Sequence, residues 1–172
     1  MVDDNIIPET IREKMVKEAK RIENDTFFSA KGHFVASDEW RRRNMVLGIP
    51  STIFSAIAGA SALAQFDNHN IVAGVLAIFV AALSALTTFL NPGEKANSHQ
   101  NAGTRYTAIR NDARKFYDLD SFRDDISDQD LLTLLEDLRK QRNELNQNSL
   151  PIPGSAYRKV RQQYSSRRPP TA

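Results

Sequence analysis

MVLGIPSTIFSAIAGASALAQF (45–66) and IVAGVLAIFVAALSALTTFL (71–90) decide how this chain folds. Across residues 44–93 the only formally charged side chain is Asp67. A bilayer core is roughly 30 Å thick, and a helix that spans it needs about 20 mostly apolar residues. At about 1.5 Å of rise per residue the two runs give about 33 Å and about 30 Å of helix. Between them Asp67-Asn68-His69-Asn70 is a short polar cluster that reads as a turn. The pattern predicts an all-α membrane protein, a two-transmembrane helical hairpin flanked by cytoplasmic amphipathic helices. The competing reading is a buried helical hairpin in a soluble protein. Two consecutive apolar runs of spanning length favour the bilayer.

Whole-chain averages conceal this. The 172 residues carry 23 Lys and Arg against 21 Asp and Glu, for a formal net charge of +2. That balance mixes one lipid-compatible third with two charged flanks, which are not basic enough to suggest a dedicated nucleic-acid binder. With no cysteine, disulfides, thiolate metal sites and a cysteine nucleophile are excluded. Met1-Val2-Asp3-Asp4-Asn5 lacks the positive and apolar regions of a signal peptide. The N-terminus is therefore expected to stay on the side of synthesis. Arg41, Arg42 and Arg43 precede the first span, and Lys95, Arg105 and Arg110 follow the second. The turn between the spans has no Lys or Arg, so the positive-inside rule puts both termini in the cytoplasm. Trp40, beside the arginine triplet, falls at headgroup depth, where its amphipathic ring is favoured. Trp40, Arg41, Arg42 and Arg43 are the candidate membrane-interface residues.

Four regions follow: an N-terminal cytoplasmic amphipathic helix (1–43), the hairpin (44–93), further cytoplasmic helices (94–150), and a proline linker with a basic tail (151–172). Pro8 suits a first helical turn. From there Ile7, Ile11, Met15, Ala19 and Ile22 recur at helical spacing, with Glu13–Lys17 and Lys14–Glu18 as ion pairs four apart. Loosening is expected near Lys31-Gly32. A third helix, about Glu94 to Leu119, carries Ala102, Tyr106, Ile109, Ala113 and Phe116 on one face and should pack on the first. Ser127 and Asp130 open a fourth helix with Leu131, Leu134, Leu135 and Leu138. Leu150-Pro151-Ile152-Pro153-Gly154 is an extended linker, and 155–164 reads as a short basic helix.

Within the spans, Pro50 should kink the first helix. Ser51, Ser55 and Gly59 form a row of small residues at four-residue spacing, and Ala56, Ala60 and Ala64 a second. Ala73, Ala77, Ala81 and Ala85 do the same in the other span. Such rows let backbones approach closely in lipid, where packing replaces the hydrophobic effect. They serve either the pairing of the two spans or contact between subunits. Ser51, Ser55, Gly59, Ala73, Ala77, Ala81 and Ala85 are accordingly the candidate packing or pore-lining residues. Hydroxyls in the spans (Ser51, Thr52, Ser55, Ser61, Ser84, Thr87, Thr88) and Gln65 either line a conduction path or, for Ser and Thr, bond back to their own helix.

No catalytic signature is present: no phosphate loop, no nucleophile elbow, and no calcium loop among Asp124, Asp125, Asp128 and Asp130. His33 and His99 fall near the same boundary on neighbouring helices, but two histidines without carboxylates favour a structural or solvated role over a metal site. No enzyme activity, cofactor or metal is expected. The tail, with Arg158, Lys159, Arg161, Arg167 and Arg168, is either simply solvated, bound to anionic lipid, or in contact with nucleic acid, the least favoured partner.

Leu47-Gly48-Ile49-Pro50 running into Ser55-Ala56-Ile57, Thr88-Phe89-Leu90-Asn91 followed by Glu94-Lys95-Ala96, Tyr106 with Ile109-Arg110, and Pro151-Ile152-Pro153 resemble the SLATT domain. This is a prokaryotic two-transmembrane module, and the resemblance runs from about His33 to Tyr157. These are packing and boundary patterns rather than catalytic ones. The resemblance implies a membrane effector in the bacterial inner membrane, one that oligomerises to form a pore or disrupt the bilayer in antiviral, abortive-infection defence. It also implies association with nucleotide-signalling or reverse-transcriptase systems. The alternative is a membrane-anchored scaffold or sensor that binds a cytoplasmic partner without a pore.

Overall fold

The computed structural model describes residues 10–64 and 68–165. It is all-helical, with no strand among the described residues. Helix α1 is Ile11–Leu63, α2 His69–Leu90, α3 Pro92–Asp118, α4 Asp128–Asn148 and α5 Gly154–Ser165, with a 3-10 turn at Asp120–Phe122. Two of these elements, α1 and the helical run from His69, contain stretches long and apolar enough to cross a membrane. The chain divides into two compact units, residues 1–35 with 99–172, and residues 36–98. Both α1 and α3 contribute to each unit. Pro8, Ile7, Gln65, Asp67, Arg167 and Arg168 lie outside the described residues.

The first unit is a helical bundle. Met15, Ala19 and Ile22 of α1 share a buried core with Tyr106, Ile109, Ala113 and Phe116 of α3, and with Leu131, Leu135, Leu138 and Leu145 of α4. The predicted pairing of the first and third helices is therefore observed. Two positions depart from the expected stripe. Ile11 is 55% exposed, one turn short of the core, and Leu134 is 45% exposed. Leu145, seven residues after Leu138, is buried and extends the core along α4.

Polar contacts fix the ends of these helices. The Thr10 N–H donates to Glu13 Oε2 (2.7 Å) and the Glu13 N–H to Thr10 Oγ1 (3.3 Å). This reciprocal capping box opens α1. Glu13 is thereby turned back on its own helix rather than toward Lys17. Glu18, for its part, meets Arg21 at 3.5 Å and Arg139 at 3.9 Å. Ser127 caps α4 as its sequence predicts, accepting from the Asp130 N–H at 3.2 Å. Arg12 organises the loop before that cap. It donates to Asp128 Oδ1 (2.6 Å) and to the carbonyls of Ile126 (2.8 Å) and Arg123 (3.1 Å).

α1 does not loosen at Lys31-Gly32; it is helical throughout. The glycine serves packing instead. A Cβ on Gly32 would lie 2.9 Å from Ile152 Cδ1, so its absence lets the proline linker close onto α1. Gly103 likewise makes room for the Phe34 ring, 2.8 Å from where a Cβ would sit.

In the second unit α2 lies beside the apolar half of α1, with the Phe54 and Phe79 rings 6.4 Å apart. Asn68 and Asn91 bracket α2 with φ of 62° and 42°. Asparagine is the non-glycine residue that best tolerates this left-handed conformation. The Asn91 N–H closes α2 on the Thr87 carbonyl at 3.0 Å, and Pro92 then starts α3 where a missing N–H costs nothing. α1 remains helical across Pro50.

The bundle core sets a clear contrast. Phe116→Ala, at a fully buried side chain, should destabilise the full-length protein in detergent by about 3–5 kcal/mol. Leu134→Ala should cost under about 1 kcal/mol, as half-exposed positions do. Denaturant titration of the two variants measures both, and equal losses would contradict the assignment of the core.

Candidate functional site

An apolar surface that no other described residue covers dominates the described part of residues 36–98. No residue of α2 is buried, although the helix is almost wholly apolar. Ile78 is 71% exposed and Phe89 86%. On α1 the stretch from Met45 to Leu63 is similarly open, with Ser61 its one buried residue. A core helix of a water-soluble domain would bury one face at least, so these helices present a surface suited to lipid or to further protein.

The partly buried positions show where the two helices meet. On α1 they include Leu47, Ser51, Phe54 and Ala58, with Ser61 buried among them and Ala64 just beyond the helix; on α2 they include Ala73, Leu76, Val80, Leu83, Thr87 and Leu90. Each series steps by three or four residues and so marks one face. The pairing thus sets mostly small side chains of α1, among them Ser51, Ala58 and Ser61, against mostly larger ones of α2, Leu76, Val80 and Leu83. Of the predicted small-residue rows Ser51, Ala64 and Ala73 are partly buried. Ser55, Gly59, Ala77, Ala81 and Ala85 are exposed. A Cβ added to Gly59 would meet nothing within 4 Å. The rows are therefore not what joins α1 to α2.

Several span hydroxyls bond to their own helix. Thr52 donates to the Gly48 carbonyl at 3.0 Å, Ser55 to Ser51 at 2.8 Å and Thr87 to Leu83 at 2.9 Å. These contacts satisfy the hydroxyl without another helix, which suits the exposed Thr52 and Ser55, while Thr87 lies on the face toward α1.

A basic and aromatic collar adjoins the apolar surface. The Arg43 guanidinium lies 4.4 Å from the Trp40 ring centre and the Lys95 ammonium 4.6 Å from it. Both distances are in the range where a cation is attracted by the ring's quadrupole. Nearby Ser37 donates to the Ala96 carbonyl at 2.9 Å, tying the start of α3 to α1. Arg41 and Arg42 are exposed. Trp40, Arg43 and Lys95 thus form one cluster, while the other two arginines project into solvent.

The bundle holds a different feature. His33 and His99, each 2% exposed, place their Nδ1 atoms 2.9 Å apart. One ring must donate and the other accept, so two protons cannot occupy this contact at once. The Tyr106 ring stacks on His33 at 5.4 Å, and its hydroxyl donates to Asn146 Oδ1 of α4 at 2.5 Å. Burial, and secondarily the neighbouring His99, lowers the His33 pKa from 6.5 to about 4; burial also lowers that of His99. Among the described residues no group of three or more His, Cys, Asp or Glu is arranged to hold a metal. The proximity of the two histidines was legible in the sequence. Their direct contact was not, because it depends on the rotation of α3 against α1.

The sign of the pH dependence follows. An unfolded histidine takes up a proton below pH 6.5, whereas buried His33 resists until about 4. Between these values acid favours the unfolded chain. Stability should therefore fall as pH drops through this window, by roughly 1.4 kcal/mol per pH unit from His33 alone. The double variant His33→Gln/His99→Gln should show a flatter profile in denaturant titrations from pH 7 to pH 4. An unchanged slope would mean that the pair does not set it.

The chain matches no family model, no curated protein and no solved structure, so its functional reading rests on its own residues.

Proposed function

We propose that this chain is a membrane effector that acts by assembling within a bacterial inner membrane. The spans 45–66 and 71–90 form a transmembrane hairpin with both termini in the cytoplasm. Copies associate through the outward small-residue rows and open a pore or disrupt the bilayer. The observation that carries this reading is the outward position of Gly59, Ala77, Ala81 and Ala85. A different set of residues, Ser51, Phe54, Ala58 and Ser61 of α1 and Leu76, Val80 and Leu83 of α2, already serves the pairing of the two helices. Close-packing surface is therefore left over on both helices, and in lipid such surface is what drives helix association.

A lone hairpin encloses no channel, so pore formation requires several copies. The spans hold no Lys, Arg, Asp or Glu to form a selectivity ring, and a pore built from them would be weakly selective. The Trp40, Arg43 and Lys95 cluster supports the orientation, because basic residues anchor the cytoplasmic side and tryptophan the interface. The resemblance to the SLATT family adds the biological setting, antiviral defence alongside a nucleotide-signalling or reverse-transcriptase system. This reading uses no catalytic step.

The test is induction in bacteria with three readouts: growth arrest, leakage of a small dye, and cross-linked oligomers. Gly59→Leu or Ala81→Leu should abolish all three while insertion persists, because bulk is added where backbones must approach. Val75→Leu should leave them intact, since Val75 lies about 120° around α2 from Ala81. A reporter fused at Asn68 should read as external. Toxicity that survives loss of oligomers would overturn assembly as the mechanism. A wild type that never leaks dye would replace the pore with a membrane-anchored scaffold.

A further inference from the structure

Within the bundle, residues of α1, α4, the proline linker and α5 enclose a cleft of ≈ 450 Å³. Arg21, Asp25 and Phe28 come from α1, Arg142 and Asn146 from α4, and Tyr157 from α5. Ile152 closes one side, held there by the contact that Gly32 permits. The volume is in the range of small-molecule sites.

Arg142 is the unusual member. Its side chain is only 17% exposed, and its ion pair with Asp25 is long at 3.3 Å. Nη1 reaches Asp25 Oδ2 at 3.3 Å and Nη2 reaches Asn143 Oδ1 at 3.2 Å, both long for charge-assisted bonds. Its Nε is buried with no hydrogen-bond partner. An under-satisfied buried guanidinium is costly and favours an anion beside it. Arg21 supplies a second guanidinium at the same cleft, engaged with Glu18 at 3.5 Å. Two aromatic rings, Phe28 and Tyr157, line the cleft with them.

We infer that this cleft binds a small phosphorylated molecule carrying a flat ring. The phosphate lies at the Arg142 guanidinium, in exchange for its long contacts to Asp25 and Asn143, with Arg21 adding charge, and the ring packs against Phe28 and Tyr157. Guanidinium forks match phosphate oxygens, and base-like rings stack on aromatic side chains. Asp25 opposes the anion, so it limits affinity rather than supplying it. This inference is independent of the proposed pore, because binding is read directly and requires no membrane activity.

Phenyl phosphate and inorganic phosphate are the probes, titrated calorimetrically into the full chain in non-ionic detergent. Phenyl phosphate should bind saturably at millimolar concentration or below, at least tenfold more tightly than inorganic phosphate. Arg142→Gln should weaken it roughly tenfold or more. Asp25→Asn should tighten it severalfold, an outcome that general damage to the fold would not produce. Tyr157→Ala should weaken phenyl phosphate while leaving inorganic phosphate unchanged. Absence of saturable binding to the wild type, equal affinity for the two probes, or weaker binding by Asp25→Asn would each overturn the proposal.

Discussion

The apolar side chains of α2 and of the second half of α1 have to be covered, and the described residues do not cover them. Helix formation satisfies the backbone hydrogen bonds within each span, which is the requirement a bilayer imposes on anything that crosses it. What remains outside is a surface of Ile, Val, Leu, Phe and Ala, interrupted by hydroxyls already bonded to their own helix. Water would penalise every such side chain, at about 25 cal/mol per Å² of apolar area. Lipid removes that penalty but offers no preference for one helix face over another. The small residues then matter, because they alone allow backbones to come close enough for packing to distinguish protein from lipid.

The bundle answers a different constraint. In water α1, α3 and α4 each carry one apolar stripe, and none is stable alone. Their shared core resolves this, and the polar contacts around it determine register. Arg12 gathers the loop ahead of α4, and Glu23 accepts from Arg110 Nε (3.2 Å) and from the Tyr117 hydroxyl (3.1 Å). The histidine pair belongs to the same set of interhelical contacts. It holds α1 to α3 through a neutral hydrogen bond, which suits neutral pH and weakens as acid supplies a second proton.

Apolar runs made the candidate spans readable, since length and absence of charge need no tertiary information. Ser127 and the proline linker were equally legible, because capping and proline act locally. The core stripe was readable to within a turn: Met15, Ile22, Ile109 and Phe116 are buried, but Ile11 falls beyond the end of the packed region. Leu134 and Leu145 could not be ranked, because leucines all around α4 leave its rotation to the neighbours. Thr10 and Glu13, three apart, carry a local capping-box signature, and these residues open α1. Gly32 reads as a breaker in isolation and becomes a packing position only once Ile152 is beside it. The same holds for the candidate sites. Which small residues face outward depends on helix rotation, and the setting of Arg142 depends on partners more than a hundred residues away in sequence, such as Asp25.

The chain has no cysteine, so a single introduced thiol reports one position without background. The most direct measurement of the central claim is oxidative cross-linking of Ala81→Cys and Val75→Cys variants in native membranes. A disulfide forms only when Cβ atoms come within about 3.5–4.5 Å, the approach that a small-residue interface requires. Efficient dimer formation at position 81, with little at position 75, is the result this account predicts. Cross-linking at position 75 with none at position 81 would contradict it.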